Sequence, residues 1–238
     1  MQGARERQAA FPPVLVGLEQ HFGGNGRGSK KVLVPGSGTG RLASDIADLG
    51  YDVTANEMDY GSILTYHLLT NHTTSLHQHT LQPFVTKWTH QANPTSRYSS
   101  VTVPDHWPNK AVKLVEGDFL KMFPQDGEFD AVVTLFFIDM SENVIDFLSN
   151  IHRLLKPGGV WINLGRTLLA EMGHLRRSPA LRGGGAPAGR SARVRCGPYI
   201  EEEHRQPVCR PAGDAVKVHL WQLRSSGPPR RGFKTVVV

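Results

Sequence analysis

Lys31 to Arg41 reads KVLVPGSGTGR, and how this stretch folds decides how the rest of the chain is arranged. Val32 to Val34 form a short apolar run that stops at Pro35 and at three glycines, Gly36, Gly38 and Gly40, spaced two apart. Leu42, Ala43, Ile46, Ala47 and Leu49 then recur at helical spacing, so the pattern is strand, tight turn, helix. Glycine suits such a turn because a side chain would hold a ligand away from the backbone, and the free N–H groups at the helix start attract polar or anionic groups. Taken alone, the same residues also serve an ordinary strand-to-helix turn that binds nothing, so a ligand site needs further groups delivered to the same place.

With 238 residues the chain is long enough for one α/β domain with a sizeable buried core. No apolar run approaches the roughly 18 residues of a membrane span, and the opening MQGARERQAA lacks a signal-peptide core. These features predict a soluble cytoplasmic protein, with the nucleus also open to it. Cys196 and Cys209 lack metal-ligand spacing and give no disulfide framework. The formal net charge of +6 is unevenly distributed: residues 1–165 carry 13 Lys and Arg against 16 Asp and Glu, whereas residues 166–238 carry 14 against 5. The basic excess belongs to the tail, so it gives no reason to pair the front of the chain with nucleic acid.

Upstream of the glycine turn, Phe11, Val14, Leu15, Leu18 and Phe22 fall on one side of a helix over residues 5–22 that Pro12 and Pro13 could begin, packing on the first strand. GGNGRGSK reads as a flexible connector. Beyond the turn, Gly50 ends the helix and YDVTANE forms a second strand closing on Glu57. Glu57 lies about 20 residues past the turn, where an acid can accept the two ribose hydroxyls of a nucleotide cofactor; a solvated strand-end glutamate is the plainer role. Residues 58–71 read as a helix with Ile63, Leu64, Tyr66, Leu68 and Leu69 supplying apolar surface. Residues 73–110 are polar and His-rich without sustained periodicity, as expected of a lid, a substrate wall or a disordered insertion. His72, His77, His79 and His90 have no acidic or cysteine partners at ligand spacing, so no metal is expected there.

AVKLVEGDF then makes a short strand with Gly117, Asp118 and Phe119 at its carboxyl end. Ligands of open parallel sheets collect outside those ends, so Asp118 could accept from an adenine amino group beside the Phe119 aromatic; a turn aspartate and a core phenylalanine would look the same. GEFDAVVTLFFID is apolar on both faces, as a central parallel strand must be, and delivers Asp139 to the same edge. A carboxylate ending such a run needs a partner, either a substrate or, with Ser141, the start of a helix over residues 142–155. That helix directs Val144, Phe147, Leu148, Ile151, Leu154 and Leu155 at the sheet, and after KPGG the strand VWINL is buried again. The alternation gives an α/β fold with a parallel sheet of about five strands linked by right-handed crossovers. Two enzyme classes fit it, a dinucleotide dehydrogenase and a class I, Rossmann-like methyltransferase using S-adenosylmethionine. The dehydrogenase fingerprint places its last glycine three beyond the second; the even spacing here favours the methyltransferase.

VLVPGSGTGRLA, the acid of ANE, QHTLQPFV and SVTVPD in the long insertion, EGDF, FFID followed by NVIDFL, and LKPGGVWINLG together resemble the carnosine N-methyltransferase family, over nearly all of residues 5–165. The resemblance implies an S-adenosylmethionine-binding domain over residues 1–165, with the 73–110 insertion as loop or lid. It also implies methylation of the imidazole of carnosine, or of a related His-containing dipeptide, to give anserine. By position it puts Gly36, Gly38, Gly40, Glu57, Asp118, Phe119 and Leu135 on the cofactor, although a cysteine is common at the Leu135 position. It puts Asp139 on the substrate imidazole as the catalytic group. A neutral imidazole, with a free pKa of about 6.5, is already a nucleophile at pH 7 and mainly needs positioning. By accepting one ring N–H, Asp139 would fix the tautomer, aim the other nitrogen and stabilise the developing charge. The implied partner is a small molecule, with no membrane or nucleic acid, and a homodimer is compatible.

The chain departs from the family in two places. Members carry an upstream helix whose Gln and Arg hold the cofactor's carboxylate end, and after the position of Gly165 they continue with a Pro-Leu-Leu phrase, a helix, two closing strands and a substrate-binding His and Tyr. Here residues 166–238 turn rich in Arg, Gly and Pro, which reads as a disordered basic tail or as a changed reading frame. DAVKVHLWQL and GFKTVVV within it have strand character; left out of the sheet, they would leave the WINL strand with an exposed edge. The alternative to an active enzyme is a non-catalytic or truncated relative that binds the cofactor at most.

Overall fold

Strands that are apolar on both faces and helices that are apolar on one build a mostly parallel, Rossmann-like sheet covered on its two sides. The computed structural model describes residues 4–23, 26–86, 93–141, 143–165, 193–196, 219–224 and 234–237. In chain order these form α1 (Ala4–Phe22), β1 (Lys31–Pro35), α2 (Arg41–Asp48), β2 (Asp52–Glu57), α3 (Tyr60–Asn71), β3 (His79–Leu81), β4 (Val101–Val103), β5 (Lys113–Glu116), β6 (Phe129–Leu135), α4 (Val144–Leu154), β7 (Leu155–Leu164), β8 (Arg193–Cys196), β9 (His219–Arg224) and β10 (Lys234–Val237). The main sheet runs β5-β2-β1-β6-β7-β10-β9-β8, and the first five of these strands pair in parallel. Chain order reverses beside β1, the place where open α/β sheets leave a crevice at their carboxyl edge.

The period of two along β1 divides the core. Val32 and Val34 point to one side, where they meet α1 and α2 through Val14, Leu18, Leu42 and Ile46. Leu33 points to the other, into a layer of Phe119, Phe123, Phe129, Ile151, Leu154 and Trp161. α1 lies over β7, where Gly17 faces Ile162 so closely that a Cβ on it would stand 3.4 Å from the isoleucine Cδ1.

Several sequence expectations are corrected. Pro12 and Pro13 do not begin α1 but lie inside it. Complete burial of Val14 and Leu18, worth about 1.5–3 kcal/mol each, with partial burial of Phe11, Leu15 and Phe22, offsets the roughly 3 kcal/mol that each of the two interior prolines costs. α3 buries Ile63 and Tyr66 but leaves Leu64 and Leu68 exposed. The connector before β1 is not wholly free chain: Arg27–Ser29 form a 3-10 turn, and the Arg27 guanidinium donates to Glu19 and to the Leu49 carbonyl.

The insertion after α3 is also partly regular. β3 and β4 pair as an antiparallel ribbon, and Asn93 caps a 3-10 turn over Pro94–Tyr98. His90 lies outside the described residues, while His77 meets the Thr102 hydroxyl and His79 that of Thr73. Both tail runs contain strands: β10 pairs in parallel with β7 and antiparallel with β9, so the backbone edge of WINL is covered and the sheet has eight strands instead of about five. Residues 166–192, 197–218 and 225–233, most of the divergent tail with Cys209, lie outside the described residues.

Candidate functional site at the sheet's carboxyl edge

β1 ends at Pro35 because the next residue turns into left-handed backbone: Gly36 has φ +63° and Gly40, which caps α2, has φ +82°. Packing also demands glycine at both positions. A Cβ on Gly36 would run into the Phe137 ring, and one on Gly40 would stand 2.5 Å from Tyr66. Gly38 differs, since a Cβ there would meet nothing within 4 Å. The middle glycine of the turn is the one with open space above it.

β2 brings Glu57 beside that turn. Its carboxylate, only 9 % exposed as a residue, accepts the Gly38 N–H on Oε2 at 2.7 Å and the Met58 and Asp59 N–H groups on Oε1 at 2.8 Å each. A carboxylate has about four acceptor sites, so these three bonds leave one, on Oε2, for a hydroxyl donor. Asn56, 1 % exposed, ties the next strand in: its Nδ2 donates to the Val115 and Gly117 carbonyls at 2.9 Å each, and its own carbonyl accepts the Ser37 N–H at 3.0 Å. The Gly117 N–H returns to the Glu57 carbonyl at 2.8 Å.

Asp118 therefore emerges from β5 at a fixed place. Its carboxylate is bound by Lys121 at 2.9 Å and by the Leu120 N–H at 3.0 Å, and these, led by the Lys121 hydrogen bond, hold it below the usual carboxylate range. Phe119 is 3 % exposed, with its ring edge-on to Phe137 and Phe147 at 5.6 and 5.5 Å. The ring belongs to the core, so it does not offer its aromatic face to this edge.

β6 delivers the remaining groups. Leu135 is half-buried and pairs with Leu164, after which Phe136 takes φ +49° and donates its N–H to the Leu164 carbonyl at 2.8 Å. This sharp turn throws Phe136 outward, 59 % exposed, and Phe137 inward, stacked on Phe147 at 5.0 Å. Asp139 follows in the 3-10 turn Ile138–Met140 and is exposed. The expectation that this carboxylate ends a buried run is thus corrected, because the turn carries it out to solvent. Neither Asp139 nor Ser141 caps the next helix: Asn143 does, accepting the Ile145 N–H at 3.1 Å, and α4 starts at Val144.

The fold thus gathers Gly36, Gly38, Gly40, Glu57, Asp118, Phe119, Leu135 and Asp139 on one edge, at the exits of β1, β2, β5 and β6. Sequence reading missed Asn56, which looks like any strand residue until its two carbonyl partners are known. It also missed Asp105, which closes the SVTVPD phrase and pairs with Arg7 of α1 and with Arg41 of α2, the latter at 2.6 Å. Asn109 adds bonds to Ser44 and Asp48. The end of the insertion is therefore fastened to the helix that follows the glycine turn, beside a cleft lined by Arg7, Gly40, Tyr66, Asp105 and Asn109.

The sequence model of the family described as carnosine N-methyltransferase matches residues 1–171. The chain belongs to the carnosine N-methyltransferase family. Curated members include the carnosine N-methyltransferase unmet of Drosophila melanogaster, 33% identical over 174 residues that cover 70% of this chain and 38% of the relative. The Mus musculus enzyme is 32% identical over 173 residues, 70% of this chain and 43% of the relative. The Schizosaccharomyces pombe enzyme is 33% identical over 174 residues, 68% and 47%. The chain spans less than half the length of these relatives. Among solved structures, the glycopeptide N-methyltransferase MtfA complexed with sinefungin is 18% identical with a TM-score of 0.42, covering 78% of this chain and 60% of that one.

Proposed function

We propose that this chain is an S-adenosylmethionine-dependent N-methyltransferase acting on the imidazole of carnosine or a related His-containing dipeptide, giving anserine or its counterpart. The observation that carries the reading is the family match over residues 1–171, joined to a sheet edge that offers an open glycine, a strand-end glutamate and two aspartates in one row. These residues fit the cofactor. Open space above Gly38 admits its backbone-hugging portion, the spare acceptor site on Glu57 suits a ribose hydroxyl, and Asp118 retains acceptor capacity for an exocyclic amine.

The bound cofactor supplies an electrophilic methyl group on a sulfonium. The protein's task is to present a nucleophile. Asp139, exposed on its 3-10 turn, accepts the N–H of one ring nitrogen of a neutral imidazole, which leaves the lone pair on the other nitrogen unprotonated. Transfer of the methyl group to that lone pair would make the ring cationic, and the Asp139 carboxylate would stabilise it. The N–H proton then passes to water when the neutral product leaves. Phe136 and Met140, before and after Asp139 in the chain, are exposed and give the site an apolar rim.

Calorimetric titration of the 238-residue chain with S-adenosylmethionine, followed by an assay of carnosine methylation, tests the reading. Saturable heat with methylated product supports it, while heat without product leaves only a cofactor-binding protein.

A further inference from the structure

We infer that Asn56 is a positioning residue that sets the distance between the glycine turn and the Gly117–Asp118 exit, and so the affinity for the adenosine half of the cofactor. The inference rests on the proposed S-adenosylmethionine reading. Asn56 is 1 % exposed and sits in the middle of three paired strands, opposite Pro35 of β1 and Val115 of β5. Its position alone makes it a hub, because its carbonyl accepts the Ser37 N–H while its side chain holds the backbone on the other side.

Both Nδ2 hydrogens are committed, to the carbonyls of Val115 and Gly117 at 2.9 Å each. Two carbonyl acceptors require the amide nitrogen at that place, since the amide oxygen would face them lone pair to lone pair. The bond to Gly117 has the larger consequence. Gly117 sits at φ +130°, off the regular strand, and the β2–β5 ladder pairs Glu57 with Glu116 and goes no further. Beyond that point Gly117 is held on both sides, by Asn56 Nδ2 on its carbonyl and by the Glu57 carbonyl on its N–H. The Gly117 carbonyl belongs to the peptide that begins Asp118. Asn56 therefore fixes where Asp118 leaves the sheet, and Glu57, one residue along, fixes the glycine turn through Gly38. Two neighbouring residues span both walls of the crevice.

Asn56→Asp keeps the shape and removes both donors, and Asn56→Ala removes the group altogether. The experiment compares the full chain and both variants by calorimetry with S-adenosylhomocysteine and with 5′-methylthioadenosine, which lacks the amino-acid tail, and by KM for carnosine at saturating cofactor. Both ligands are expected to weaken about tenfold and to the same extent, as loss of one or two buried hydrogen bonds allows, with KM for carnosine unchanged. A residue that only supports the fold would lower the melting temperature and leave the affinities of the folded protein as they were; that result overturns the inference, as does weakening confined to the ligand with the tail. If neither variant folds, the side-chain amide resonances of Asn56 in the parent protein decide: they shift on addition of 5′-methylthioadenosine, and constancy overturns the inference. Failure of the parent itself to bind either ligand counts instead against the cofactor reading.

Discussion

The Glu57 carboxylate accepts the backbone N–H of Gly38 at 2.7 Å, so the acid that ends β2 also closes the glycine turn that ends β1. In the proposed function the same side chain also holds the ligand. Glu57→Gln replaces one carboxylate oxygen by a donor that faces N–H groups, and Glu57→Ala removes all three acceptor bonds. Calorimetry is expected to show S-adenosylmethionine binding weakened by roughly 10- to 100-fold in both, a loss of about 1.4–2.8 kcal/mol. Unchanged binding would take Glu57 out of the site.

Two glycines of the turn should respond differently to the same substitution. Gly40→Ala forces a Cβ to within 2.5 Å of Tyr66 at φ +82°, and thermal unfolding is expected to report a loss of about 2–4 kcal/mol. Gly38→Ala meets nothing within 4 Å, so only the left-handed backbone costs it about 1–2 kcal/mol. Its methyl group enters the space assigned to the cofactor, and binding rather than stability should suffer.

Asp139 stands apart from the hydrogen-bonded frame of the crevice, exposed on its 3-10 turn. Asp139→Ala is therefore expected to leave the melting temperature and S-adenosylmethionine affinity close to the parent's, while turnover falls by about 10²-fold or more. Turnover equal to the parent's would remove its assigned role.

Asp130 of β6 gathers Lys156 at 2.6 Å, the Lys31 N–H at 3.0 Å and Lys30 at 3.5 Å. Partial burial opposes its ionisation, but hydrogen bonds from Lys156 and Lys31 and the two lysine charges outweigh it and hold the carboxyl below the ordinary 3.8. A folded pKa below the unfolded one means that the contribution is present above the unfolded value and is lost as pH falls through the folded value. Asp130→Asn is expected to cost about 1–2 kcal/mol near neutral pH after allowance for solvent screening, and to cost less at acid pH, once the pH has fallen through the folded-state value and the parent's aspartate is protonated too. Urea unfolding of the pair at both pH values measures this.

The parts of the site legible in the sequence are those whose signal is local. Val32–Val34, the even glycines and the helical run from Leu42 define the turn without knowledge of any partner, and Glu57 is placed by counting to the end of a strand, whereas Asp139 lies past the end of β6 on a 3-10 turn. Roles that depend on a partner far along the chain were not legible. Asn56 acquires meaning from carbonyls 59 and 61 residues away, and Asp105 from arginines 98 and 64 residues away. The orientation of Phe119 was left open for the same reason: whether an aromatic at a strand exit faces the crevice or the core depends on Phe137 and Phe147, which come later in the chain. The prolines in α1 misled because local propensity marks them as a start, while burial of Val14 and Leu18 decides the outcome.

The central claim is that this sheet edge transfers a methyl group to an imidazole nitrogen. Incubating the full chain with S-adenosylmethionine labelled with 13C at its methyl group and with carnosine, and observing the product by NMR, tests it most directly. The account predicts a labelled methyl on a ring nitrogen of the dipeptide, formed by the parent and not by Asp139→Ala. No label on the ring, or equal labelling by the variant, would contradict it.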